Sequence, residues 1–524
     1  MRAVKKLLTC VAVASLSALF LSTALAYQPD APYITSQKKH AAEWQAQEKM
    51  VVNKLQALEK KYGKKPNIIF ILSDDIGWGE LGSYFGGKLR GTPTPNLDIM
   101  AKNGMKFLEA YAEPSCTPTR IALMTGRHPV RTGLTDVLWP GQKMGLSPEE
   151  ITIAELLSQS GYSTAMWGKW HLGDQPKHAP ENQGFDYAYY GLYNGAAWAW
   201  PNMQSFYERD VVPGVGFWYD YPGNKKYLQQ YGIRIDGIYQ GKKGEGRKVV
   251  GEINSQEMVN FENQSAKQII QYIKDNAKSD KPFFIYWATY ANQVAGSPKE
   301  YRFKKGIDSR NNQAAQMAQH DAHVGEILQT LKDQGIAENT LVIWYSDNGP
   351  MYAFWPTSGY TWLKGGKGQV TEGGVRVPAI VYWPGMIKPA QDPLGLLHVT
   401  DMYTTMASIA GVKDKIPSDR VTDGIDQTAF LLFGEGYSHR GYMFYYSGPK
   451  IGAVRLGPYK ALFDSHSAGG GLPKMSVYNI MRDPKETHGA MYNYLWFLTP
   501  LQNVMQEHQK QIQKFPHRKP EQVK

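Results

Sequence analysis

The stretch Asn67-Ile68-Ile69-Phe70-Ile71-Leu72-Ser73-Asp74-Asp75 decides the fold class of this chain of 524 residues. Its central run is apolar and rich in β-branched and aromatic side chains, which is typical of a parallel strand covered on both faces. The run leads directly into two carboxylates, and in α/β sheets ligands gather at the carboxyl ends of strands. The stretch therefore predicts an α/β protein with a large, mostly parallel central sheet flanked by helices.

The chain repeats this pattern further on. Leu341-Val342-Ile343-Trp344-Tyr345 is a second buried-strand run, and it ends in Ser346-Asp347-Asn348-Gly349. An Asp-Asp pair alone is often only turn chemistry, but two strands that end alike can direct four oxygen-bearing side chains at one point. Hard oxygen ligands favour Ca²⁺ or Mg²⁺ over a softer metal, and no Cys or His cluster competes for zinc. We therefore expect a divalent cation held by Asp74, Asp75, Asp347 and Asn348.

The stretch Cys116-Thr117-Pro118-Thr119-Arg120 contains one of only two cysteines. The other, Cys10, lies in a predicted export signal, so the mature chain keeps one thiol without a disulfide partner. Pro118 suits a first helical position, which would place Cys116 at a helix N-terminus, where N–H groups and the dipole favour an anion. Arg120 would follow about one turn later. The stretch is either a small buried cysteine in a turn or a place to hold and attack an oxyanion.

Cys-Thr-Pro-Thr-Arg fits the C-x-P-x-R core of the sulfatase signature, and Thr125-Gly126-Arg127 follows at the spacing of that family. From about residue 66 to 490, the chain resembles the formylglycine-dependent sulfatases of the arylsulfatase A-like branch, in the alkaline phosphatase superfamily. The resemblance implies that a maturation enzyme oxidises Cys116 to formylglycine, whose hydrate is the nucleophile. It also implies that residue 116 joins the four strand-end residues in holding the cation, usually Ca²⁺, and that Arg120 helps to hold the nucleophile.

Two further motifs carry the resemblance. In Gly168-Lys169-Trp170-His171-Leu172-Gly173, Lys169 and His171 are two residues apart, so they project to the same side of an extended segment. By resemblance, Lys169 contacts a substrate oxygen and His171 orients the hydrated aldehyde. The stretch from Gly366 to Arg376 is similar to the G-K-G-x-x-x-E-G-G-x-R element of sulfatases, in which the lysine, here Lys367, binds the sulfate.

One position departs from the family pattern. After the predicted strand Phe283-Phe284-Ile285-Tyr286-Trp287-Ala288, sulfatases usually have a histidine on the leaving-group side of the ester, and the matching position holds Gln293. Glutamine can donate a hydrogen bond to the substrate but has no titratable proton. Either leaving-group assistance is weaker here, or another residue such as His178, His320 or His323 takes this role.

The N-terminal residues of the chain indicate an exported protein. A basic start, an apolar run and Ala24-Leu25-Ala26 are typical of a signal peptide over residues 1–26, removed before Tyr27, with delivery to the periplasm or outside the cell. The formal charge is +11, and removing the three cations of the signal leaves +8, which mildly favours anionic substrates. No basic tract suggests a nucleic-acid partner, and no later run is long enough for a membrane span.

We predict three units in the mature chain: a helical arm over residues 27–65, a catalytic α/β domain over 66–436, and a small antiparallel subdomain with a tail over 437–524. Residues from about 195 to 250 are rich in aromatic side chains and resemble an insertion rather than a regular element. Its rings either stack on an aryl group or a sugar face, or pack against one another.

These features predict an exported sulfatase that hydrolyses an aryl sulfate or a sulfated carbohydrate. Two alternatives remain open from the sequence. The first is a phosphonate monoester or phosphodiester hydrolase of the same superfamily, and the second is a non-catalytic homologue that binds a sulfated glycan, which Gln293 would suit. A thiol hydrolase using Cys116 fits less well because it leaves the repeated carboxylates unexplained.

Overall fold

The computed structural model describes residues 27–195, 224–252, 257–292, 299–302, 312–352, 359–463, 475–489 and 491–518. The predicted signal peptide, Gln293 and residues 196–223 of the aromatic segment lie outside this part of the chain. No helix among the described residues combines the length and the apolar character needed to cross a bilayer.

Two helices form most of the N-terminal arm. After the short strand β1 (Gln28–Pro29), helix α1 (Ala31–Lys39) is followed by helix α2 (Ala41–Tyr62). Gly63 ends α2 with a φ of 70°, a left-handed conformation that glycine adopts without strain. The prediction placed one helix from about Lys38, whereas the helical region begins earlier and is divided at His40.

Ten strands form the central sheet, and the prediction of a large, mostly parallel sheet is confirmed. The sheet order is β11-β3-β10-β9-β2-β8-β4-β5-β6-β7. The five central strands β9, β2, β8, β4 and β5 pair in parallel, and β10 runs antiparallel between β3 and β9. The strands are β2 (Asn67–Ser73), β3 (Met105–Tyr111), β4 (Ser163–Lys169), β5 (Tyr187–Gly191), β6 (Gly237–Lys242), β7 (Gly246–Glu252), β8 (Phe283–Ala288), β9 (Thr340–Ser346), β10 (Arg376–Tyr382) and β11 (Leu397–His398).

Helices cover both faces of this sheet, which is why every residue of β2, β8 and β9 is buried. The helices after the arm are α3 (Pro95–Lys102), α4 (Cys116–Thr125), α5 (Pro129–Thr132), α6 (Ile153–Ser158), α7 (Asn224–Gln230), α8 (Glu257–Asn276), α9 (Lys299–Arg302), α10 (Asn312–Asp333), α11 (Glu372–Val375), α12 (Val399–Ile409), α13 (Thr428–Phe433) and α14 (Leu498–Lys514).

Two local predictions were wrong. With Ser147 as cap and Pro148 at the first position, the sequence predicts a helix that starts there. The helix α6 begins later, because Thr152 caps it in a capping box with Glu155. The second half of the predicted aromatic insertion is not irregular, since β6 and β7 form a hairpin that extends the edge of the central sheet beyond β5.

A second, antiparallel sheet follows in the C-terminal part, as predicted. After the short strand β12 (Val421–Thr422), which pairs with β1, its strands are β13 (Tyr442–Ser447), β14 (Lys450–Leu456), β15 (Tyr459–Phe463) and β16 (Met475–Asn479), in that order. This sheet has its own hydrophobic cluster, which includes Tyr33 of α1 and Leu501 of α14. The two ends of the described chain therefore pack together on the small sheet.

A buried group of six charged side chains joins the two sheets. Arg455 on β14 donates to Glu109 Oε2 on β3 at 2.7 Å, and Lys460 on β15 donates to Glu372 Oε1 at 3.0 Å. Lys460 Nζ also lies 2.9 Å from Glu486 Oε1. We call this group the joining cluster; its members are Glu109, Glu372, Arg376, Arg455, Lys460 and Glu486.

Candidate active site

The two repeated strand ends meet, as the sequence predicts. Strands β2 and β9 are parallel neighbours with Ser73 opposite Ser346, so the residues that follow them lie side by side. The Asp75 N–H donates to Asp347 Oδ1 at 3.1 Å. Ligand atoms of Asp74, Asp75, Asp347 and Cys116 all lie within 4.8 Å of one another, and all four residues are buried. We call these residues, together with Arg120, Lys169, Asn348 and Lys367, the strand-end cluster.

The donor atoms of this cluster fit a divalent cation. Asn348 Nδ2 donates to Asp75 Oδ1 at 2.6 Å and to the Gly349 carbonyl at 2.8 Å, whereas the buried Asn348 Oδ1 has no hydrogen-bond partner among the described residues. Burial and the neighbouring Asp74 carboxylate raise the pKa of Asp347 to about 7. Oxygen ligands of this kind favour Ca²⁺ or Mg²⁺.

Helix α4 places Cys116 beside these carboxylates. The helix starts at Cys116 itself, after the extended Ser115, so Pro118 is the third helical residue and not the first, as the sequence had suggested. The Thr119 hydroxyl donates to the Asp347 carbonyl at 2.5 Å and thereby fastens the helix to the end of β9. Cys116 is fully buried, and its Sγ lies 3.7 Å from Asp74 Oδ1.

As a plain thiol, Cys116 is a poor nucleophile. Burial raises the pKa of Cys116 to about 12, although the charges of Lys169 and Lys367 act in the opposite direction. Because the thiolate is the reactive form of cysteine, a thiol that stays protonated at neutral pH is inert. The thiol-hydrolase alternative is therefore disfavoured by the surroundings of the sulfur, in agreement with the sequence.

Arg120 and Lys169 lie behind the carboxylates, away from solvent. Arg120 Nη2 donates to Asp347 Oδ2 at 2.9 Å and lies 3.4 Å from Asp74 Oδ2, while its Nη1 donates to the Lys169 carbonyl at 2.9 Å. Lys169, the last residue of β4, donates from Nζ to Asp74 Oδ2 at 2.5 Å. Although burial opposes the charge, Lys169, Arg120 and Lys367 hold the pKa of Asp74 well below its usual range.

Lys367 is the cation of the cluster that reaches solvent. Its Nζ lies 2.6 Å from Asp75 Oδ1 and 2.9 Å from Cys116 Sγ. Its side chain is 16% exposed, whereas those of Arg120 and Lys169 are fully covered. Burial disfavours its charge, but Asp75 and the rest of the cluster raise the pKa of Lys367 well above its usual value. An anion that enters the site therefore meets a charged lysine first.

His171 reaches the cluster by a different geometry from the one predicted. The extended conformation ends at Lys169, and His171 has a left-handed φ of 60°, so the two side chains do not share one face of a strand. His171 Nε2 lies 2.8 Å from the Leu138 carbonyl and so carries the proton, while the buried Nδ1 has no partner among the described residues. Burial and the charges of Lys169 and Arg120 hold the pKa of His171 well below its usual value. His171 is therefore neutral, with Nδ1 available as an acceptor.

The three histidines considered as substitutes at the leaving-group position are all buried. His320 accepts from Trp344 Nε1 at 2.9 Å, and His323 Nε2 lies 3.0 Å from Asn263 Oδ1, both on the α10 side of the sheet. Burial lowers the pKa of His320 to about 3 and that of His323 to about 4, so neither can donate a proton at neutral pH. His178 is packed against Gly145 and Gly173, behind the His171 segment.

No role was predicted from the sequence for the two threonines of the Cys116 stretch, Thr117 and Thr119. Thr117 donates from its hydroxyl to the His171 carbonyl at 3.0 Å, and Thr119 contacts the end of β9. The two side chains thus tie the first turn of α4 to the segments that carry His171 and Asp347. The signal available in the sequence was the pair of hydroxyl residues on either side of Pro118.

Fold and site together define an α/β protein that gathers carboxylates, lysines and one buried cysteine at the carboxyl ends of parallel strands. A family model described as Sulfatase matches residues 66–412, well over half of the chain. The chain belongs to the sulfatase family, and it is a sulfuric ester hydrolase.

Individual relatives agree with this assignment. The chain is 32% identical over 495 residues to N-acetylgalactosamine-6-sulfatase of Canis lupus familiaris, covering 85% of this chain and 86% of that protein. It is 35% identical over 465 residues to arylsulfatase A of Homo sapiens, covering 82% and 84% of the two chains. The crystal structure of the PsFucS1 sulfatase from Pseudoalteromonas sp. superposes with a TM-score of 0.81 at 34% identity, covering 91% of this chain and 96% of that one.

Proposed function

We propose that this protein is an exported sulfatase that hydrolyses a sulfate ester of a carbohydrate or a phenol, using formylglycine made from Cys116 and a bound Ca²⁺ or Mg²⁺. The observation that carries the proposal is the position of Cys116 Sγ, in contact with Lys367 and close to Asp74 in a buried carboxylate cluster. The name of the dog relative, N-acetylgalactosamine-6-sulfatase, supports a sulfated sugar as one substrate class.

The family implies two groups, a divalent cation and an aldehyde at residue 116. Asp74, Asp75, Asp347, Asn348 and residue 116 would hold the cation, which polarises a sulfate oxygen and offsets the carboxylate charge when bound. A hydrated aldehyde at position 116 would supply one hydroxyl to attack sulfur and a second hydroxyl whose deprotonation allows sulfate to leave.

The lysines bind the sulfate oxygens. Lys367 lies at the solvent side of Cys116 and Lys169 on its inner side, so a sulfate placed against residue 116 lies between two fixed positive charges. Such a charge needs no reorganisation during the reaction and is worth about 3 kcal/mol per well-placed group. Arg120 pairs with both Asp74 and Asp347 and is fully buried, so we assign it to holding the carboxylates rather than the substrate.

His171 orients the nucleophile. Its Nε2–H is occupied by the Leu138 carbonyl, which leaves Nδ1 as an acceptor for a hydroxyl at position 116. Because the ring is neutral, Nδ1 can accept a hydrogen bond from that hydroxyl and hold it in position.

Gln293 takes the leaving-group side in this proposal. An amide can donate a hydrogen bond to the departing oxygen but cannot protonate it. We therefore expect the rate to depend strongly on the acidity of the alcohol, with phenyl sulfates cleaved faster than alkyl sulfates of similar size. A series of substituted phenyl sulfates would measure this dependence, with Gln293→His as the comparison, since the histidine should flatten the dependence.

The first test of the proposal is mass spectrometry of the peptide that contains Cys116, from protein purified from its native host. Formylglycine is lighter than cysteine by about 18 Da. The same protein should release sulfate from para-nitrophenyl sulfate or from a sulfated sugar, and should lose this activity with a chelator and regain it with Ca²⁺ or Mg²⁺. An unmodified thiol in the native protein would overturn the mechanism, and faster cleavage of a phosphonate monoester or a phosphodiester would favour that alternative reaction.

Export and the three-unit organisation of the chain remain part of the proposal. N-terminal sequencing of the protein from the periplasm or the culture medium should give Tyr27 as the first residue. A start at Met1 would overturn the signal-peptide assignment.

A further inference from the structure

Glu262 reaches from helix α8 to the end of strand β8. Its buried carboxylate accepts the Tyr290 N–H at 2.7 Å and the Thr289 hydroxyl at 3.0 Å. The Ala291 N–H in turn donates to Thr289 Oγ1 at 3.0 Å. One carboxylate thus organises three consecutive residues of what we call the exit segment, residues 289–292, which leads to the position of Gln293.

The exit segment contacts the strand-end cluster through Asn292. Through Tyr290 it also contacts Tyr193, which packs against His171. Asn292, in a left-handed conformation with a φ of 75°, donates from Nδ2 to the Asp75 carbonyl at 3.1 Å. The Tyr290 hydroxyl donates to the Tyr193 carbonyl at 2.9 Å, and the Tyr193 ring lies edge-on to His171 with 6.2 Å between centroids. A shift of this segment would therefore move the backbone of Asp75 and the Tyr193 residue beside His171.

We propose that Glu262 is a positioning residue for sulfate-ester hydrolysis, which fixes the exit segment and through it the Asp75 side of the site. The proposal rests on the function proposed above and extends it to a side chain outside the family motifs quoted in the sequence analysis. Among the described residues, Glu262 has no hydrogen bond to the strand-end cluster, and it acts through Thr289 and Tyr290, which it holds.

Burying the carboxylate of Glu262 costs free energy, and a residue that only filled space would not need a charged group. A buried carboxylate is unfavourable without a cation, and among the described residues its partners are a neutral hydroxyl and a backbone amide. The titratable groups that face it are Tyr290 from the end of β8 and His320 and His323 from α10, which line the same small cavity. Burial raises the pKa of Glu262 to about 7, and the two hydrogen bonds act in the opposite direction. The ionised form is the better acceptor for both donors, so the exit segment is held most firmly above neutral pH.

The test compares the wild-type protein with Glu262→Ala, Glu262→Gln and a matched control, Gln268→Ala. Gln268 lies on the same helix, and its Oε1 also accepts two hydrogen bonds, from Trp167 Nε1 at 3.0 Å and the Tyr187 hydroxyl at 2.9 Å, but it does not touch the exit segment. Each protein is assayed with para-nitrophenyl sulfate across the pH range around neutrality, titrated with Ca²⁺ by calorimetry, and melted thermally.

We expect Glu262→Ala to lower kcat by about tenfold to a hundredfold, because displacing catalytic groups by an ångström has effects of this size. Calcium binding should weaken by about tenfold, since the Asp75 backbone loses its support. Gln268→Ala should lower the melting temperature comparably but leave kcat and calcium affinity within about twofold. Glu262→Gln should keep most of kcat and lose the part of the pH dependence of kcat that titrates near neutrality.

The outcomes separate this proposal from the proposed function. If the wild-type protein turns over sulfate esters and a folded Glu262→Ala variant matches its kcat and calcium affinity, the positioning role is wrong. If Glu262→Ala does not fold, a Glu262→Gln pH profile identical to that of the wild type overturns it. If no variant hydrolyses a sulfate ester, the proposed function fails, and the calcium titrations still decide whether Glu262 supports the Asp75 side of the site.

Discussion

The strand-end cluster and the joining cluster have the same charge composition in different arrangements. Each buries three carboxylates and three cations, Asp74, Asp75 and Asp347 with Arg120, Lys169 and Lys367 in one, and Glu109, Glu372 and Glu486 with Arg376, Arg455 and Lys460 in the other. In the strand-end cluster the carboxylates converge on one point and the cations surround them. In the joining cluster cations lie between carboxylates, as Lys460 does between Glu372 and Glu486.

The pKa values alone do not separate the two clusters. Despite burial, neighbouring cations hold the pKa of Asp74 well below its usual range and lower that of Glu372 to about 2. Burial and a like-charged neighbour raise the pKa of Asp347 to about 7, and they also raise the pKa of Glu486. The difference lies in geometry: carboxylates that converge on one point suit a bound cation, whereas charges that alternate suit attachment of the two sheets.

The largest effect is expected for Cys116→Ala, which should lose activity without losing stability. Cys116→Ala should lower turnover of an aryl sulfate by at least about 10⁴-fold, because removal of a nucleophile leaves only binding and electrostatic contributions. The free energy of unfolding should change little, since the side chain is small and the carboxylates keep their partners. Sulfate release and urea denaturation measure the two quantities. A variant that retains more than a hundredth of the wild-type rate would contradict the assignment of the nucleophile.

In the joining cluster, Lys460→Met should give the opposite result, a loss of stability with little loss of activity. Lys460→Met leaves Glu372 and Glu486 buried without their shared cation, and breaking a buried pair in this way costs about 3–5 kcal/mol of unfolding free energy. The folded fraction should keep its kcat within about twofold, because Lys460 does not contact the strand-end cluster. Urea denaturation and initial rates on the same sample test both parts. A large loss of kcat at unchanged stability would mean that the two clusters are coupled.

A smaller effect should follow from Tyr111→Phe. The Tyr111 hydroxyl donates to Glu372 Oε2 at 2.8 Å and accepts from Arg455, so its removal deletes two hydrogen bonds to charged groups but no charge. We expect the unfolding free energy to fall by about 1–3 kcal/mol. Denaturation of this variant beside Lys460→Met would show how much of the stability of the joining cluster depends on charge. A loss equal to that of Lys460→Met would remove the distinction.

The smallest expected effect concerns the pH dependence of cation binding. The folded pKa of Asp347, about 7, lies above its usual value, so its contribution to the stability of the cation-free protein is full below about pH 4 and is lost as the pH rises through 7. A cation must displace this proton, so calcium affinity should be about tenfold weaker at about pH 6 than at about pH 8. Calorimetry in matched buffers measures the difference. Affinity that does not vary with pH would show that Asp347 is ionised before the cation binds.

Much of the candidate site could be predicted from the sequence because its signals are local. The strand runs before Asp74 and Asp347 specify where those residues lie, and the parallel pairing of β2 and β9 then brings them together. The part of the site that was predicted wrongly is the local backbone conformation. The left-handed φ of His171 ends the extended segment after Lys169, and no pattern of side chains in the sequence reports it.

The joining cluster and the role of Glu262 could not be predicted for a different reason. The partners of Glu372 in this cluster include Lys460, 88 residues later, and a lone buried charge has no periodic signature. Glu262 lies in a helix whose pattern explains its burial but not its hydrogen bonds to β8. Capping shows the same limit on a small scale, since the sequence predicts Ser147 as the helix cap, whereas Thr152 caps α6 and engages Glu155.

The complete burial of Cys116 has a consequence for timing during synthesis. The lysine that contacts its sulfur comes 251 residues later in the chain, and the carbonyl that fastens its helix comes 228 residues after Thr119. A ribosome adding about 5–20 residues per second needs on the order of ten to fifty seconds to make that stretch. During this interval the pocket does not yet exist and the thiol is accessible. An enzyme that converts Cys116 to an aldehyde would therefore have to act before the closing segments of the chain have folded over the thiol.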